Sequence, residues 1–294
     1  MKFPRILIVP KKSKFQWDMD RLGLSASRLM ARYGRQGVNA SRIFASHQRQ
    51  MRALQKVAKL FPDARVVSQE KISEKLAQGA DLVIALGGDN HFQHVSHFVG
   101  TGIIAGVNSD IKLSEGSLTV FTPETFVSVA ARFKKGRRKE ECWTRLKVAV
   151  DGRVVKPLAL SEIFLGEASR CQMSRHIILA PGMREMQKCS GLLVATGSGS
   201  SGWYDAAGRY LFLRGNRFSR TKAGFRFIAS EPFHGRLSRP KHLKGNLLNK
   251  QKLRVRSLND SQGVILIDTQ IKIPFPEGSD AVISVGEPLR VLSK

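Results

Sequence analysis

The sequence predicts an α/β domain built on an open parallel sheet, followed by a β-rich, sandwich-like domain. In the first hundred residues, short apolar runs alternate with helix-length segments, which is typical of parallel βαβ units. Beyond about residue 120, short strand-like runs follow one another with turn residues between them, which is typical of antiparallel sheets. The length of 294 residues also suggests two domains.

The N-terminal part contains candidates for each of these elements. A helix over residues 25–33 would end at Gly34, because glycine readily adopts the left-handed conformation that follows a helix end. Ser46 can cap a second helix, whose apolar residues recur at helical spacing until Pro62. The strand candidates are residues 6–9, 65–67, 82–86 and 103–107.

The C-terminal part begins with a predicted hairpin, in which Asp151-Gly152 joins the apolar runs 146–150 and 153–155. We divide the chain into a first domain, 1–120, a second domain, 121–275, and a tail, 276–294, for which a return to the first domain is one option. Further strands are predicted over residues 177–179, 192–195, 225–229, 253–255 and 264–267.

The balance of charge is strongly positive, since 49 Lys and Arg residues against 23 Asp and Glu give a net charge of +26. Such an excess favours polyanionic partners such as nucleotides, polyphosphate, nucleic acid or an acidic membrane. The cations concentrate over residues 209–256 and, in a smaller cluster, over 134–139. These clusters are either solvated loops or a surface that concentrates a phosphate-bearing ligand. Because no named nucleic-acid-binding motif is present, we do not expect a nucleic acid partner, although a nucleic-acid binder led by residues 209–256 stays as a further alternative.

Other compositional features narrow the class of protein. A content of 42% hydrophobic residues excludes a disordered chain, a collagen and a disulfide-rich miniprotein. The three cysteines form no CxxC pair, which indicates reduced thiols rather than a disulfide framework. No apolar run approaches the ~20 residues that a membrane-spanning helix needs. We therefore expect a cytoplasmic protein with no membrane partner.

The first candidate for chemistry is Gly87-Gly88-Asp89-Asn90, which follows the apolar run 82–86. Ligands of open α/β sheets bind at the carboxyl ends of the strands. Two glycines allow the backbone to approach a phosphate closely, and Asp89 can accept a hydrogen bond, or the proton, from a sugar hydroxyl. The alternative is a tight turn in which Asp89 caps the next helix.

Three further segments carry polar groups beside predicted strands. Asn108 ends the run 103–107, and Ser161-Glu162 begins another apolar run. Residues 196–204 form a turn rich in Gly, Ser and Thr that ends in two aromatic residues. Such a turn can hold a ribose or a phosphate while an aromatic ring stacks on a base. Taken alone, each segment also has a plain structural explanation, such as a surface hairpin or a linker.

Taken in order, these four segments resemble those of the NAD kinase family, whose members carry GGDG, GxN, Asn-Glu and TPTGSTAY segments. The similarity is greatest to the divergent mitochondrial-type branch, whose TGTGSxxW and SEG segments look like residues 196–203 and 114–116. It spans roughly residues 80–290. The matching residues are 87–90, 106–108, 161–162 and 196–203, and residues 267–270 are similar to the Asp-Gly-Gln turn of the family.

The resemblance implies an enzyme that transfers the γ-phosphoryl group of ATP, bound with Mg²⁺, to the 2′-hydroxyl of the adenosine ribose of NAD. It implies that Asp89 is the general base, that the glycines face the phosphates, and that the protein is a homodimer or homotetramer. The nucleotide-binding positions that it implies are Gly87, Gly88, Asn90, Asn108, Ser161, Glu162, Lys188, Ser190, Ser198, Ser201, Gly202, Trp203 and Ala206.

The sequence departs from the family pattern at some of these positions. Asn90-His91 replaces Gly-Thr, and Ser161 replaces the usual Asn. The added bulk of Asn90 motivates one alternative, a catalytically weakened nucleotide-binding protein on the same scaffold. A second alternative is a lipid or diacylglycerol-type kinase, which shares the Gly-Gly-Asp turn. The hydroxyl-rich segment 196–203 argues against it, because a lipid needs no such pocket.

The predicted helix after Asp89 carries three histidines, His91, His94 and His97, at positions i, i+3 and i+6. On a helix these positions spread over about a third of the circumference, so we expect no protein-bound metal there. His91, at the helix start, is better placed to contact a phosphate.

Overall fold

The computed structural model of the protein describes residues 5–169, 171–209, 211, 217–236 and 239–294. The chain divides into two compact units. The first unit comprises Met1–Glu141 together with Arg290–Lys294, and the second comprises Cys142–Leu289. Nowhere in the described ranges is there a helix long and apolar enough to cross a membrane.

The first unit is built on a parallel sheet with the strand order β2-β1-β3-β4-β18-β5. The pairs β1–β2, β1–β3, β3–β4 and β4–β18 are all parallel. The buried strands β3 and β4 have no exposed residue, because both faces of a parallel sheet are covered. The strands are β1 Ile6–Pro10, β2 Arg65–Val66, β3 Leu82–Gly87, β4 Ile103–Asn108, β5 Glu140–Trp143 and β18 Leu289–Leu292.

Helices join these strands, and short polar side chains fix where they begin. Ser25 caps α2 by accepting the Arg28 N–H. The prediction that Ser46 caps the next helix is wrong, since α3 begins at Ala40 and Asn39 is its cap. The helices of the first unit are α1 Lys14–Leu22, α2 Ala26–Arg35, α3 Ala40–Leu60, α4 Glu74–Gln78, α5 Asp89–Ser96 and α6 Pro123–Lys134.

The core of the first unit explains where the chain divides. Helix α6 contributes Phe126, Val129 and Phe133 to the same buried cluster as the strand residues Ile84 and Ala105. Burying these side chains ties α6 to the parallel sheet. The division therefore falls after Glu141 rather than near residue 120, and at the other end of the chain only residues 290–294 return to the first unit.

The second unit is a sandwich of two antiparallel sheets, each with six strands among the described residues. The strand orders are β10-β9-β14-β17-β6-β7 and β13-β12-β11-β8-β15-β16. The first of these sheets contains β6 Leu146–Val150, β7 Arg153–Ala159, β9 Ser174–Ala180, β10 Met183–Cys189, β14 Leu253–Ser257 and β17 Asp280–Val285. The second contains β8 Glu162–Glu167, β11 Gly191–Ala195, β12 Gly224–Ser230, β13 Lys244–Leu248, β15 Gly263–Ile267 and β16 Ile271–Pro274, and α7 Trp203–Gly208 follows β11.

The inner faces of these two sheets form the core of the second unit, where side chains such as Val148 and Ile178 pack with Leu165 and Phe227. The predicted hairpin is confirmed, since β6 and β7 pair antiparallel around Asp151 and Gly152. Both turn residues have positive φ, as this kind of two-residue turn requires. A parallel α/β unit and an antiparallel sandwich together confirm the predicted fold class.

Candidate active site

A cleft of about 460 Å³ in the first unit contains several of the sequence-predicted residues. It lies where β1, β3 and β4 end, which is the edge at which open α/β sheets bind ligands. Gly88, Asp89 and Asn90 line it after β3, and Asn108 lines it at the end of β4. The structure therefore brings the first two sequence motifs into one cleft.

Close contacts require the two glycines at this turn. A Cβ atom on Gly87 would lie 2.7 Å from the His91 ring, and one on Gly88 would lie 2.7 Å from Ser114 Oγ. Both separations are shorter than a Cβ atom tolerates, so a larger residue requires a shift of the His91 ring at the first position and of the Ser114 hydroxyl at the second. Gly88 borders the cleft, whereas Gly87 lies against His91.

The Asp89 carboxylate holds the loop 114–119. Its Oδ1 accepts the N–H groups of Leu118 at 2.8 Å and Thr119 at 3.1 Å and the Thr119 hydroxyl at 3.2 Å, and its Oδ2 accepts the Ser117 N–H at 2.8 Å. Gly88 occupies the cap position of α5, so Asp89 does not cap that helix. Within the described chain Oδ2 accepts one hydrogen bond, which leaves it a lone pair for a ligand hydroxyl.

Asn108 ties the same loop to β4. Its Nδ2 donates to the Ser114 carbonyl at 3.0 Å, and its Oδ1 accepts the Asp110 N–H at 3.0 Å. Gly116 within the loop has a φ of 76°, and a Cβ there would lie 2.9 Å from Asn108 Nδ2. The loop is therefore held from two neighbouring strands, by Asp89 after β3 and by Asn108 at the end of β4.

Two cations that the sequence reasoning missed also line the cleft. Lys11 directly follows β1, and Lys14 begins α1, where it contacts Asp18 at 2.7 Å. Positive side chains beside a glycine turn suit a ligand that carries phosphate groups. The sequence did contain a signal for Lys11, which directly follows the first predicted strand. The carboxyl ends of parallel strands lie at one edge of the sheet, so a residue at that position is expected near the ligand site.

A half-buried ion pair involves Asp110, which also lines the cleft. Arg49 donates to both oxygens of Asp110, at 2.7 and 3.0 Å, and Ser46 Oγ donates at 2.6 Å. Burial alone would raise the pKa of Asp110, but the bonds from Arg49 and Ser46 outweigh it and lower that pKa below its ordinary value. Gln50 Oε1, at the cleft, has no hydrogen-bond partner within the described residues and can accept an N–H of a ligand.

The two histidines of α5 hydrogen-bond to backbone carbonyl groups of the first unit. The buried His91 binds the Val9 carbonyl through Nε2 at 2.7 Å, and burial lowers its pKa to about 4. His94 binds a different carbonyl, that of Gln69, at 3.2 Å. In the described part of the chain no group of three His, Cys, Asp or Glu side chains could hold a metal ion. His91 lines the cleft as a neutral ring already bonded to the backbone.

In the second unit, Asp268 anchors the backbone of the segment that contains Ser161 and Glu162. Its carboxylate accepts the backbone N–H groups of Leu160 at 2.8 Å, Ser161 at 2.7 Å and Glu162 at 3.0 Å. Asp268 and Thr269 both have positive φ, which turns the chain sharply between β15 and β16. The similarity of residues 267–270 to the family turn pointed here, but the role of Asp268 as an anchor was not foreseen.

The hydroxyl-rich turn after β11 packs against the same segment. Thr196 Oγ1 donates to the Leu160 carbonyl at 2.6 Å and accepts the Ser198 N–H at 3.1 Å. A Cβ on Gly199 would lie 2.3 Å from the Ser161 carbonyl oxygen and 2.9 Å from Glu162 Oε2. Ser161, Glu162 and Ser198 are therefore close together, although 36 residues separate Leu160 from Thr196 in the chain.

Two polar side chains at this point are buried. Burial and the neighbouring Asp268 charge raise the pKa of Glu162 to about 8. A carboxyl with this pKa carries a proton at pH 7 and can donate a hydrogen bond. Ser198 Oγ is buried and has no hydrogen-bond partner among the residues described. Unsatisfied buried hydroxyls are costly, so a ligand that pairs with Ser198 gains that interaction.

Trp203 and Ser190 line a second pocket, of about 290 Å³, on the face of the β8–β15 sheet opposite the sandwich core. Trp203 stacks on Phe164, with ring centroids 5.1 Å apart and an angle of 21° between the planes. The Ser190 hydroxyl hydrogen-bonds to the Glu231 carboxylate. An apolar wall beside hydroxyl and charged groups suits a nucleoside.

The remaining predicted positions lie nearby on the second unit. Lys188 is half-buried on β10, Ser201 ends a short 3₁₀ turn, Gly202 precedes α7, and Ala206 is exposed on α7. Of the basic region 209–256, residues 210, 212–216 and 237–238 lie outside the described residues.

Comparisons with known proteins show what the chain is similar to. No family model matches the chain. NAD kinase 2, mitochondrial, of Rattus norvegicus is 23% identical over 250 residues, which covers 68% of this chain and 59% of that relative. The resemblance to the NAD kinase family is confirmed. The chain spans about three-fifths of the length of this mitochondrial NAD kinase.

Solved structures of NAD kinases show the same fold. A yeast NADH kinase complexed with NADH matches with a TM-score of 0.69 and 16% identity, over 100% of this chain and 84% of the other. An NAD kinase from Archaeoglobus fulgidus in complex with ATP matches with a TM-score of 0.65 and 20% identity, over 98% and 93%. Identities this low show the NAD kinase fold alone.

Proposed function

We propose that the protein is an NAD kinase, which transfers the γ-phosphoryl group of ATP to the 2′-hydroxyl of the adenosine ribose of NAD or NADH. The observation that carries this proposal is the cleft in which Asp89, the glycine turn and the lysines Lys11 and Lys14 meet. A carboxylate beside cations at the edge of a parallel sheet suits phosphoryl transfer to a sugar hydroxyl. The names of the relatives agree with this reaction.

The proposed reaction uses one carboxylate and two lysines of the protein. The 2′-hydroxyl oxygen bonds to the γ-phosphorus, the bond from that phosphorus to the β-phosphate oxygen breaks, and ADP leaves. The proton of the hydroxyl passes to Asp89, whose Oδ2 keeps a lone pair. Lys11 and Lys14 offset phosphate charge, and Mg²⁺ enters with ATP as part of the substrate.

The second unit, taken by itself, carries groups suited to a dinucleotide. Its protonated Glu162 can donate to a ribose or amide oxygen, and the unpaired Ser198 hydroxyl can bind a second polar group. Trp203, backed by Phe164, offers a ring for stacking on a base. Asp268 holds the backbone of Glu162, and Ser198 and Trp203 belong to the hydroxyl-rich turn that packs against the same segment.

The proposal is tested by incubating the purified chain with NAD or NADH, ATP and Mg²⁺ and measuring NADP or NADPH. We expect product from the wild-type chain and from Asp63→Asn, an exposed charge-matched control, but at least 100-fold less from Asp89→Asn. Absence of product from the wild type with both acceptors would reject the proposal.

A second candidate is a nucleotide-binding protein with little catalysis. The four hydrogen bonds that Asp89 receives from residues 117–119 favour it, because they assign this carboxylate a structural task. This candidate predicts that NAD binds measurably, by calorimetry, while the wild type forms no more NADP than Asp89→Asn. The two candidates therefore differ in turnover and agree on binding.

A further inference from the structure

A small, strongly basic pocket of about 220 Å³ lies in the first unit beside the C-terminal end of α6. Four cations line it, and its residues are different from those of the Asp89 cleft. It contains three of the five cations of the basic cluster 134–139, which the proposed function leaves without a role. The lining residues are Val129, Arg132, Arg137, Arg138, Lys139, Leu292 and Ser293.

The end of α6 is built so that these cations converge. Gly136, with a φ of 72°, follows the helix, and its N–H donates to Phe133 O at 2.9 Å. The Arg137 N–H donates back to Arg132 O at 3.0 Å. Together the two bonds form a Schellman motif, which reverses the chain direction at a helix end. The motif brings Arg137 back beside Arg132, so the positive pocket follows from backbone geometry.

Most of this charge has no acidic partner. Glu140 binds Arg138 at 2.6 Å and Arg290 at 2.8 Å. Over the described part of the chain no carboxylate lies within ion-pair distance of Arg132, Arg137 or Lys139. Cations gathered around one pocket repel one another, and a bound anion relieves this repulsion. The pocket is therefore electrostatically suited to an anion.

A buried hydroxyl provides an independent indication. Ser293 lines the pocket with only 8% of its surface exposed, and its Oγ has no hydrogen-bond partner among the described residues. Its backbone N–H donates to Lys139 O at 2.9 Å, which holds Ser293 beside the basic segment. An oxyanion in the pocket could accept the hydroxyl hydrogen that otherwise stays unsatisfied.

We propose that this pocket binds a small phosphate-type anion, inorganic phosphate or pyrophosphate, at a site separate from the Asp89 cleft. Arginine guanidinium groups match the paired oxygens of a phosphate. The volume of about 220 Å³ is below that of pockets for drug-sized ligands, so it suits the anion rather than a whole nucleotide. The site lies at the opposite end of α6 from Pro123.

The test is calorimetric titration with pyrophosphate at fixed ionic strength, in a Lys11→Gln/Lys14→Gln background that weakens anion binding in the other cleft. We expect Arg137→Gln to weaken binding about tenfold, as for loss of one charge-assisted hydrogen bond, and Arg137→Lys to restore part of it. Lys135→Gln removes the same charge outside the pocket lining and should change the affinity less than twofold. Ser293→Ala should weaken binding about threefold, as expected for loss of one ordinary hydrogen bond.

Several results would overturn the proposal. They are no binding at millimolar pyrophosphate, unchanged affinity in Arg137→Gln, or equal losses in Arg137→Gln and Lys135→Gln, which would show that affinity follows net charge. Arg137 and Lys135 are both exposed, so the two variants should fold alike, and thermal unfolding verifies this. The outcome is independent of NAD kinase activity, because the readout is anion binding.

Discussion

Asp268 accepts the backbone N–H of Glu162 at 3.0 Å, and its negative charge adds to the effect of burial on the Glu162 carboxyl. The same aspartate holds the backbone of Leu160 and Ser161, so it cannot move away from Glu162 without breaking three hydrogen bonds. An anchor of the candidate site therefore also sets the protonation state of its neighbour.

The raised pKa of Glu162 predicts a pH-dependent stability. Between the ordinary value of 4.5 and about 8, the folded chain binds a proton that the unfolded chain has lost, so the free energy of unfolding falls as pH rises. Glu162→Gln removes this contribution, which changes the free energy of unfolding by an amount on the order of 3–5 kcal/mol across that pH range. Urea unfolding should show equal stability of the two chains near pH 4.5 and a more stable variant at pH 9.

The matched control for this experiment is Glu277→Gln, which changes an exposed carboxyl. It should follow the wild-type pH profile throughout. A Glu162→Gln chain that loses stability with pH as steeply as the wild type would show that Glu162 is ionised at neutral pH, contrary to the assignment.

Asp89→Asn separates catalysis from loop anchoring. We expect kcat to fall about 100- to 10,000-fold with little change in the KM for NAD, because a general base acts in the transition state. We also expect a loss of about 1–3 kcal/mol in unfolding free energy, since an amide accepts the loop N–H groups less well than a carboxylate. Steady-state kinetics and urea unfolding measure the two effects. Near wild-type turnover together with reduced stability would make Asp89 an anchor alone.

The contact between Gly88 and Ser114 can be tested by rescue. Gly88→Ala places a Cβ 2.7 Å from Ser114 Oγ and should destabilise the chain by about 1 kcal/mol, the lower end of overpacking costs, because the serine hydroxyl can rotate away. The φ of −98° at Gly88 suits alanine, so backbone strain does not contribute. Adding Ser114→Gly should restore most of the loss in thermal unfolding. A double variant no more stable than Gly88→Ala would refute this contact.

Trp203→Ala should weaken NAD binding about three- to tenfold, the range expected for loss of one aromatic stack. Trp203→Phe should retain most of the affinity, because a ring still stacks over Phe164. Trp17→Ala removes a half-exposed indole in the first unit and serves as the control. Calorimetric titration with NAD measures all three, and equal affinity of the Trp203→Ala chain and the wild type would remove Trp203 from the site.

The sequence predicted those parts of the site that depend on local pattern. A buried strand followed by Gly87-Gly88-Asp89 placed a carboxylate at the carboxyl edge of a parallel sheet, and the structure has that turn there. Asp151-Gly152 likewise predicted its hairpin, because few residue pairs adopt positive φ at two consecutive positions.

The sequence did not predict which residues far apart in the chain form hydrogen bonds with one another. The backbone N–H groups that donate to Asp89 lie 28 to 30 residues further along the chain. No local sequence pattern shows which backbone groups will lie beside this carboxylate. The same limit explains the error at Ser46, whose hydroxyl looks like a helix cap but binds Asp110, 64 residues away. Asn39 was the true cap, and the preference for short polar caps does not choose between two candidates.

The most direct test of the central claim is ³¹P NMR of NAD, and in a parallel sample of NADH, incubated with the purified chain, ATP and Mg²⁺. The account predicts a phosphomonoester resonance at the 2′ position of the adenosine ribose, growing in equal amount with ADP and absent with Asp89→Asn. Hydrolysis of ATP without a 2′-phosphomonoester on either acceptor, or ATP and both acceptors unchanged, would contradict it.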